Sequence, residues 1–308
     1  MLPALLTTIL FATSVMCGHR SSKLLGGMEA NLWRVLTALV MLAAYAFTLG
    51  GGISGRSFPM FLLSGLIGIG IGDVAFFQAL PRLGPRLCSL LAQCLGAPVG
   101  ALIEWLWLGT TLGLWQILFA LLALVGVGIA LAPKGEKAHS RRDLAIGSLF
   151  ALLAGTGNAF GAVLSRKAYA IAADTGLSVD GGTAAFQRVL GGVLVCGLAF
   201  MLARRHSLLR AAGDPEFSLV NSAVGRWRKA GPWIMANSIS GQTLGVTCMQ
   251  WALQTTPTGI VLAIVSLTPI LVIPFAFVLE GERPKLLSVI GGVIAVAGVL
   301  GLVLVKHS

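Results

Sequence analysis

The chain alternates between long apolar runs and short polar or glycine- and proline-containing clusters. A helix needs about 20 apolar residues to cross the hydrocarbon core of a bilayer, and most of the runs have that length. The breaks between them are rich in glycine, proline or basic residues, which end helices or mark loops. The pattern therefore predicts ten transmembrane helices, at residues 2–18, 30–49, 59–80, 87–108, 113–132, 144–166, 183–203, 232–253, 258–279 and 286–305.

Composition excludes a soluble protein. Of the 308 residues, 56% are hydrophobic and 11% are charged, and the mean hydropathy is +0.89. A soluble domain carries about 25% charged residues. The net charge of +11 does not indicate nucleic-acid binding, because the basic residues form short clusters between apolar runs. The opening apolar run has no basic segment before it, so we interpret it as a retained first span and not as a cleaved signal peptide.

Motifs for enzymatic chemistry and for cofactor binding are missing from the sequence. The five cysteines form no Cys-x-x-Cys pair, the four histidines lie in predicted loops or at the C-terminus, and no G-x-x-x-x-G-K-[ST] segment occurs. We therefore expect a protein that is not an enzyme, with no metal or cofactor and no ATP-driven step of its own.

Three short alignments indicate an internal repeat. An Arg-Val-Leu triplet begins at Arg34 in the second predicted helix and again at Arg188 in the seventh. The third helix has glycines at 68 and 72 followed by Ala-Leu at 79–80, and the eighth has glycines at 241 and 245 followed by Ala-Leu at 252–253. The fourth and ninth helices each contain a proline about ten residues before their ends, Pro98 and Pro269. We expect two five-helix units, 1–132 and 144–308, joined by a linker at 133–143.

An odd number of helices per unit has a topological consequence. The second unit must enter the bilayer from the opposite side, so the fold class expected is an all-α membrane protein built from two inverted five-helix repeats. Such repeats place a binding site near the bilayer midplane, and alternating access follows when the two halves exchange conformations.

The sequence resembles an EamA-type member of the drug/metabolite transporter superfamily. The resemblance rests on the two five-helix units, on Arg34 and Arg188 at the starts of the second helices, and on the segment Leu267–Val299. This segment has a mid-helix proline, an acidic turn and a glycine-rich last helix. Leu108–Gln116 in the first unit departs from the pattern, with threonine where an acidic residue is usual. The resemblance implies secondary transport, frequently export, of small metabolites such as amino acids.

Two acidic residues, Asp73 and Glu104, lie well inside predicted helices. Charge inside the membrane is costly, so such residues are functional candidates. Following the chain direction, Asp73 shares a leaflet with Arg34, and Glu104 shares one with Arg188. Asp73 would then bind a substrate ammonium group or a coupling proton in a water-filled cavity. The alternative is a permanent structural ion pair with Arg34. Glu104 is nearer an interface, and the alternative for it is contact with lipid headgroups.

Neutral polar side chains concentrate on the same helices. Unpaired amides facing lipid cost several kcal/mol, so these side chains must face protein or water. The predicted substrate-binding residues are Asp73, Gln78, Gln93, Asn158, Asn237, Gln242, Gln250 and Trp251. Arg34, Arg188, Glu104, Pro98 and Pro269 are predicted to have structural or gating roles. The prolines free backbone carbonyls that can line the pathway or can support a structural kink. The alternative for the amides is hydrogen bonding between helices.

We therefore expect a secondary active transporter, with export as the expected direction, of a small metabolite such as an amino acid. The expected location is the inner membrane of a bacterium, and a proton is a candidate coupling ion. The alternatives are a flippase for lipids or lipid-linked headgroups and a non-transporting membrane scaffold. Both a monomer and a homodimer are compatible with the sequence. With ten spans, 17 of the 22 Lys and Arg lie on the side opposite the termini. The positive-inside rule then puts the termini outside, whereas the resemblance implies termini inside.

Overall fold

The computed structural model describes residues 2–108, 113–131, 140–211, 220–256, 258–281 and 286–305, and these contain helices but no β-strand. The α-helices are α1 (Leu2–Leu25), α2 (Gly27–Thr48), α3 (Phe58–Gly65), α4 (Val74–Leu108), α5 (Leu114–Leu131), α6 (Arg141–Asp174), α7 (Gly181–Ala211), α8 (Val220–Asn237), α9 (Val246–Thr255), α10 (Thr258–Val265), α11 (Thr268–Glu280) and α12 (Leu286–Val305).

Six helical stretches are long and apolar enough to cross a membrane, which supports a multi-pass integral membrane protein. They are Leu2–Leu25, Gly27–Thr48, Phe58–Cys94, Arg141–Asp174, Gly181–Arg205 and Thr258–Leu279. Ile117–Val127 and Val289–Gly301 are shorter apolar helical stretches. The all-helical membrane fold is thus found, while the number of ten spans stays a prediction.

The third and fourth predicted spans are separated at a glycine. Gly84 has φ 75° and ψ 169°, a backbone conformation outside the α-helical region, which divides α4. A residue with a Cβ rarely adopts a positive φ, so glycine suits this position. Helical structure extends through Pro81 up to this point, so the break between the predicted spans 59–80 and 87–108 lies at this glycine.

Two π-helical segments interrupt the helices that carry the repeated glycines. Leu66–Asp73 joins α3 to α4, and Ser238–Gly245 joins α8 to α9. The first contains Gly68 and Gly72, and the second contains Gly241 and Gly245. The wider turns of a π-helix are uncommon and often occur at functional sites. Their matching positions strengthen the repeat inferred from the alignments.

The helices of the first half pack mainly against those of the second. α4 lies on α6, α5 on α12, and α2 and α3 on α7. Small residues make these contacts close: a Cβ on Gly155 of α6 would lie 2.5 Å from the carbonyl oxygen of Ala92, and one on Gly298 of α12 would lie 2.5 Å from the backbone nitrogen of Ala123. Small residues are typical of tightly packed membrane helices.

Several predicted helix bounds were too short. α1 continues to Leu25 beyond its predicted end at residue 18, and α6 covers Arg141–Asp174 where residues 144–166 were predicted. The connection between the predicted spans 183–203 and 232–253 is helical at both ends, because α7 extends to Ala211 and α8 begins at Val220. Hydropathy detects the apolar part of a helix, whereas arginine, leucine and alanine continue the helix readily into a polar environment.

The ninth predicted span is divided into two helices. α10 ends at Val265 and α11 begins at Thr268, with Pro269 in its first turn. Proline cannot donate a backbone hydrogen bond and clashes with the preceding helical turn. The Thr268 hydroxyl donates to the Val265 carbonyl at 2.6 Å, and both residues are buried. The carbonyl that Pro269 frees is therefore hydrogen-bonded within the break, which favours the structural role for this proline.

Candidate functional site

A small cavity lined by both apolar and polar side chains lies where the two halves meet. Its volume is about 70 Å³, enough for a few ordered water molecules. α1, α2, α4, α6, α7, α9 and both π-helical segments contribute to it. The lining residues are Phe11, Ser14, Val15, Arg34, Ile69, Asp73, Phe76, Phe77, Gln93, Asn158, Arg188, Gly241, Gln242, Val246 and Met249.

Arg34 and Asp73 form an ion pair at this cavity. The Arg34 Nη2 atom lies 2.7 Å from Asp73 Oδ2, and the two side chains are 5% and 16% exposed. α2 carries the arginine, and the last residue of the first π-helical segment supplies the carboxylate. The pairing expected from the helix order is therefore present in the structure.

Two amides complete the surroundings of this ion pair. Arg34 Nη2 also donates to Asn31 Oδ1 at 2.8 Å, and Arg34 Nη1 donates to Gln242 Oε1 at 3.2 Å. The Gln242 amide nitrogen lies 3.5 Å from Asp73 Oδ2, a long contact at the limit of hydrogen bonding. The Arg34 guanidinium carbon also lies 4.8 Å from the centre of the Phe77 ring, within cation–π distance. Gln242, which belongs to the second half, thus contacts both members of the ion pair in the first half.

Arg188 lines the same cavity from α7 and is 3% exposed. Its Nε atom has no hydrogen-bond partner among the described residues. A Cβ on Gly68 would lie 2.9 Å from Arg188 Nη2, so the absence of a side chain at this glycine leaves room for the guanidinium. The arginines that begin the second helix of each repeat therefore meet at one cavity.

Comparison with known proteins agrees with this architecture. The model of the EamA-like transporter family, which is part of the drug/metabolite transporter superfamily, matches residues 1–132 and again residues 145–304. The chain belongs to the EamA-like transporter family. The two matches confirm the family resemblance and show that the family's unit occurs twice in the chain.

A solved crystal structure has the same fold as this EamA-like transporter. It aligns with a TM-score of 0.61 and 15% sequence identity, over 98% of this chain and 97% of its own, and its printed description is "Crystal structure of protein". A comparison with curated proteins found no match. The low identity limits this structural likeness to the fold.

Four further predicted site residues of the EamA-like chain lie at or near the interface between the halves. Gln93 of α4 and Asn158 of α6 line the cavity. Asn237 is buried next to it, and its Oδ1 accepts a hydrogen bond of 2.6 Å from Ser14. Gln250 of α9 is completely buried, and neither atom of its amide has a hydrogen-bond partner within the described ranges.

Other predicted residues lie outside this lining. Gln78 of α4 accepts hydrogen bonds from Arg82, through its backbone carbonyl and, at 3.1 Å, through its side-chain oxygen. Pro98 lies within α4. Glu104 is part of α4, but its side chain is not among those that the structure describes. Its pairing with Arg188 therefore stays a prediction.

Trp251 is 52% exposed and lines a different, more open pocket of about 510 Å³. This pocket also includes Tyr45, Thr247 and Asp180, the last of these in the connection between α6 and α7. The structure therefore separates Trp251 from the charged cavity. Trp251 directly follows Gln250 in the sequence, but adjacent helical residues point in different directions.

Asp180 caps the start of α7. Its Oδ1 accepts hydrogen bonds of 2.9 Å from the backbone nitrogens of Gly182 and Thr183, and its Oδ2 accepts one of 2.5 Å from the Thr183 hydroxyl. Partial burial alone raises the pKa of this carboxyl, but the hydrogen bonds from Thr183, Tyr45 and Gly182 outweigh it, so the pKa is lowered from its usual value.

Sequence reasoning missed two residues that hold the site in this EamA-like transporter. Asn31 precedes Arg34 by three positions on α2, a spacing that puts both side chains on one face of the helix, so this contact was detectable. Ser14 follows Thr13 in α1, and no local signal distinguishes it from the other hydroxyl side chains of that helix.

Proposed function

We propose that this chain is a secondary active transporter that exports a small metabolite, such as an amino acid, through the cavity that Arg34, Asp73 and Arg188 line. The observation that carries the proposal is the convergence of charged and amide side chains from both halves on one internal space. Ionisable groups inside a membrane protein typically mark substrate or ion pathways.

The proposed architecture has ten spans in two inverted repeats, 1–132 and 144–308, joined at 133–143. The two family matches and the paired π-helical segments support duplication. An odd number of spans per repeat gives the halves opposite orientations, and alternating access then consists of the two halves exchanging conformations around the cavity. The inner membrane of a bacterium is the proposed location.

In the proposed mechanism, Asp73 exchanges Arg34 for a substrate ammonium group or a coupling proton. Its carboxylate faces the cavity and keeps 16% exposure, so water reaches it. Gln242 contacts both members of the ion pair, so an opening movement of the second half changes the surroundings of Asp73. Through these contacts, movement between the halves would be coupled to the charge state of the cavity.

The test is flux in reconstituted vesicles, with and without a pH gradient, using labelled amino acids and a fluorescent lipid. We expect protein-dependent amino-acid flux that responds to the gradient. Flux should be lost in Asp73→Asn and partly retained in Asp73→Glu, with rates normalised to folded protein. Asp174→Asn, which removes an exposed carboxylate at the end of α6, is the control.

Each other outcome has a distinct meaning. Movement of the lipid alone identifies a flippase, and no flux of either kind favours a scaffold. If Asp73→Asn transports at the wild-type rate with the same dependence on pH, Asp73 belongs to a structural ion pair, and the proposed coupling is wrong.

A further inference from the structure

We propose that Arg188 binds a carboxylate group of the transported molecule, so that the substrate class is small carboxylate-bearing metabolites. This inference rests on the transport function proposed above and adds the chemical group that the cavity recognises. It follows from a difference between the two repeats at one position.

The repeat alignment pairs Arg34 with Arg188 and the glycines at 68 and 72 with those at 241 and 245. The spacing that aligns these glycines also aligns Asp73 with Val246. The first repeat therefore supplies a carboxylate to its arginine, whereas the second has an apolar side chain at the equivalent position. Val246 lines the cavity, as Asp73 does. At these equivalent positions the two repeats therefore supply two cations but only one anion.

The two arginines differ accordingly in their contacts. Arg34 is held by Asp73, Asn31 and Gln242. For Arg188, the structure gives neither an ion pair nor a hydrogen bond to any of the described residues. The Nε atoms of both arginines are buried without a partner, so the difference lies in the terminal nitrogens, which are bonded only in Arg34. Asp73 attracts Arg188 electrostatically but makes no hydrogen bond or ion pair with it. Arg188 is thus the cation of this cavity that no described side chain binds, so it can bind a ligand.

A buried guanidinium without an anion is unfavourable, because burial removes its hydration. Arg34, Arg188 and Asp73 together give the lining one excess positive charge. A carboxylate supplies one negative charge and two oxygens that match the parallel donors of a guanidinium. One carboxylate therefore neutralises the cavity.

Two variants test the inference from opposite directions. Arg188→Gln removes the cation, and Val246→Asp adds the carboxylate that the second repeat lacks. The control is Arg56→Gln, which removes one positive charge from an exposed loop position. Arg188→Lys keeps the charge but loses the paired donors. Thermal unfolding in detergent identifies any variant that does not fold.

The probes are labelled L-alanine and succinate, which carry carboxylates, and putrescine and glucose, which do not. Binding is measured on detergent-solubilised protein, and flux is measured in vesicles. We expect saturable binding of at least one carboxylate probe by the wild type and by Arg56→Gln. Arg188→Gln and Val246→Asp should lower the affinity at least tenfold, which corresponds to about 1.4 kcal/mol. Arg188→Lys should fall between them and the wild type.

The outcomes separate this inference from the proposed function. Flux of putrescine or glucose alone overturns the carboxylate site and leaves transport standing. Binding of a carboxylate that Arg188→Gln abolishes, without flux of any probe, supports the site and contradicts transport. The inference is overturned if the wild-type protein binds neither carboxylate probe, and this result does not depend on whether the cavity variants fold. It is also overturned if Arg188→Gln folds and binds the carboxylate as tightly as the wild type.

Discussion

Replacing Asp73 with asparagine keeps the size of the side chain but removes the charge that faces Arg34. The Arg34 Nη2 atom and Asp73 Oδ2 are 2.7 Å apart. At an effective dielectric constant of about 20, two unit charges at this distance attract with about 6 kcal/mol before desolvation is counted. Removing one partner of a buried ion pair costs about 3–5 kcal/mol, because the other charge stays buried.

The structure favours the lower end of this range. Asn31 and Gln242 still accept hydrogen bonds from Arg34, and the 16% exposure of Asp73 allows some screening by water. We therefore expect Asp73→Asn to lower the free energy of unfolding by about 3 kcal/mol. The double variant Arg34→Leu with Asp73→Leu removes both charges of this ion pair, so it should lie within about 1 kcal/mol of the wild type.

The assay is reversible unfolding in mixed micelles, with the tryptophan fluorescence of the chain recorded as the denaturing detergent SDS increases. Asp174→Asn serves as the control for loss of an exposed carboxylate. The reasoning is refuted if Asp73→Asn is as stable as the wild type. It is also refuted if the double variant is as unstable as the single one, because the cost would then not come from an unpaired charge.

Five further predictions use other features of the chain. A Cβ on Gly65 would lie 1.8 Å from the backbone oxygen of residue 188, so Gly65→Ala should lower the unfolding free energy by about 2 kcal/mol or more. Gly197→Ala, which meets no atom within 4 Å, should stabilise α7 by about 0.5–1 kcal/mol in the same titration. Asp180→Ala should cost about 1 kcal/mol at neutral pH. Because the pKa of Asp180 is lowered by folding, its contribution is present above the unfolded pKa and is lost as the pH falls through the folded value, so wild type and variant should converge in acid. Thr268→Val removes the hydroxyl that caps a carbonyl between α10 and α11 and should lower the melting temperature through a loss of about 1 kcal/mol, whereas an unchanged melting temperature would mean that water replaces it. A phosphatase fused after Ser308 should be active if the charge bias sets the orientation, and a fluorescent cytosolic reporter at that position would contradict it.

The sequence predicted the helical membrane fold and the first charged pair because both depend on simple regularities. Apolar runs of span length appear directly in the hydropathy pattern. Arg34 and Asp73 were placed in one leaflet by counting residues along antiparallel helices, and the structure brings them into contact. The arginines of the two repeats were recognised from the repeated triplet, although their meeting at one cavity was not foreseen.

Features that depend on packing between helices were harder to predict. Nothing in the glycine spacing distinguishes a π-helical segment from an ordinary close helix contact, so Leu66–Asp73 and Ser238–Gly245 were expected to be regular helix. Gln78 was grouped with the cavity amides because any buried amide needs a partner. The structure supplies that partner locally, from Arg82 one helical turn away. Which of several available partners an amide uses depends on helix rotation, which hydropathy does not encode.

The packing of each half against the other has a consequence for biogenesis. During translation, α1 to α5 enter the bilayer before α6, α7 and α12 are synthesised. Until then, the small-residue faces of the first half contact lipid instead of the second half. Arg34 and Asp73 can neutralise each other during this delay, since both belong to the portion made first. Arg188 arrives later and is buried only as the halves assemble. A proteolytic nick between α5 and α6 should therefore leave two fragments that remain associated, whereas either fragment synthesised alone should be recognised as unfinished and degraded.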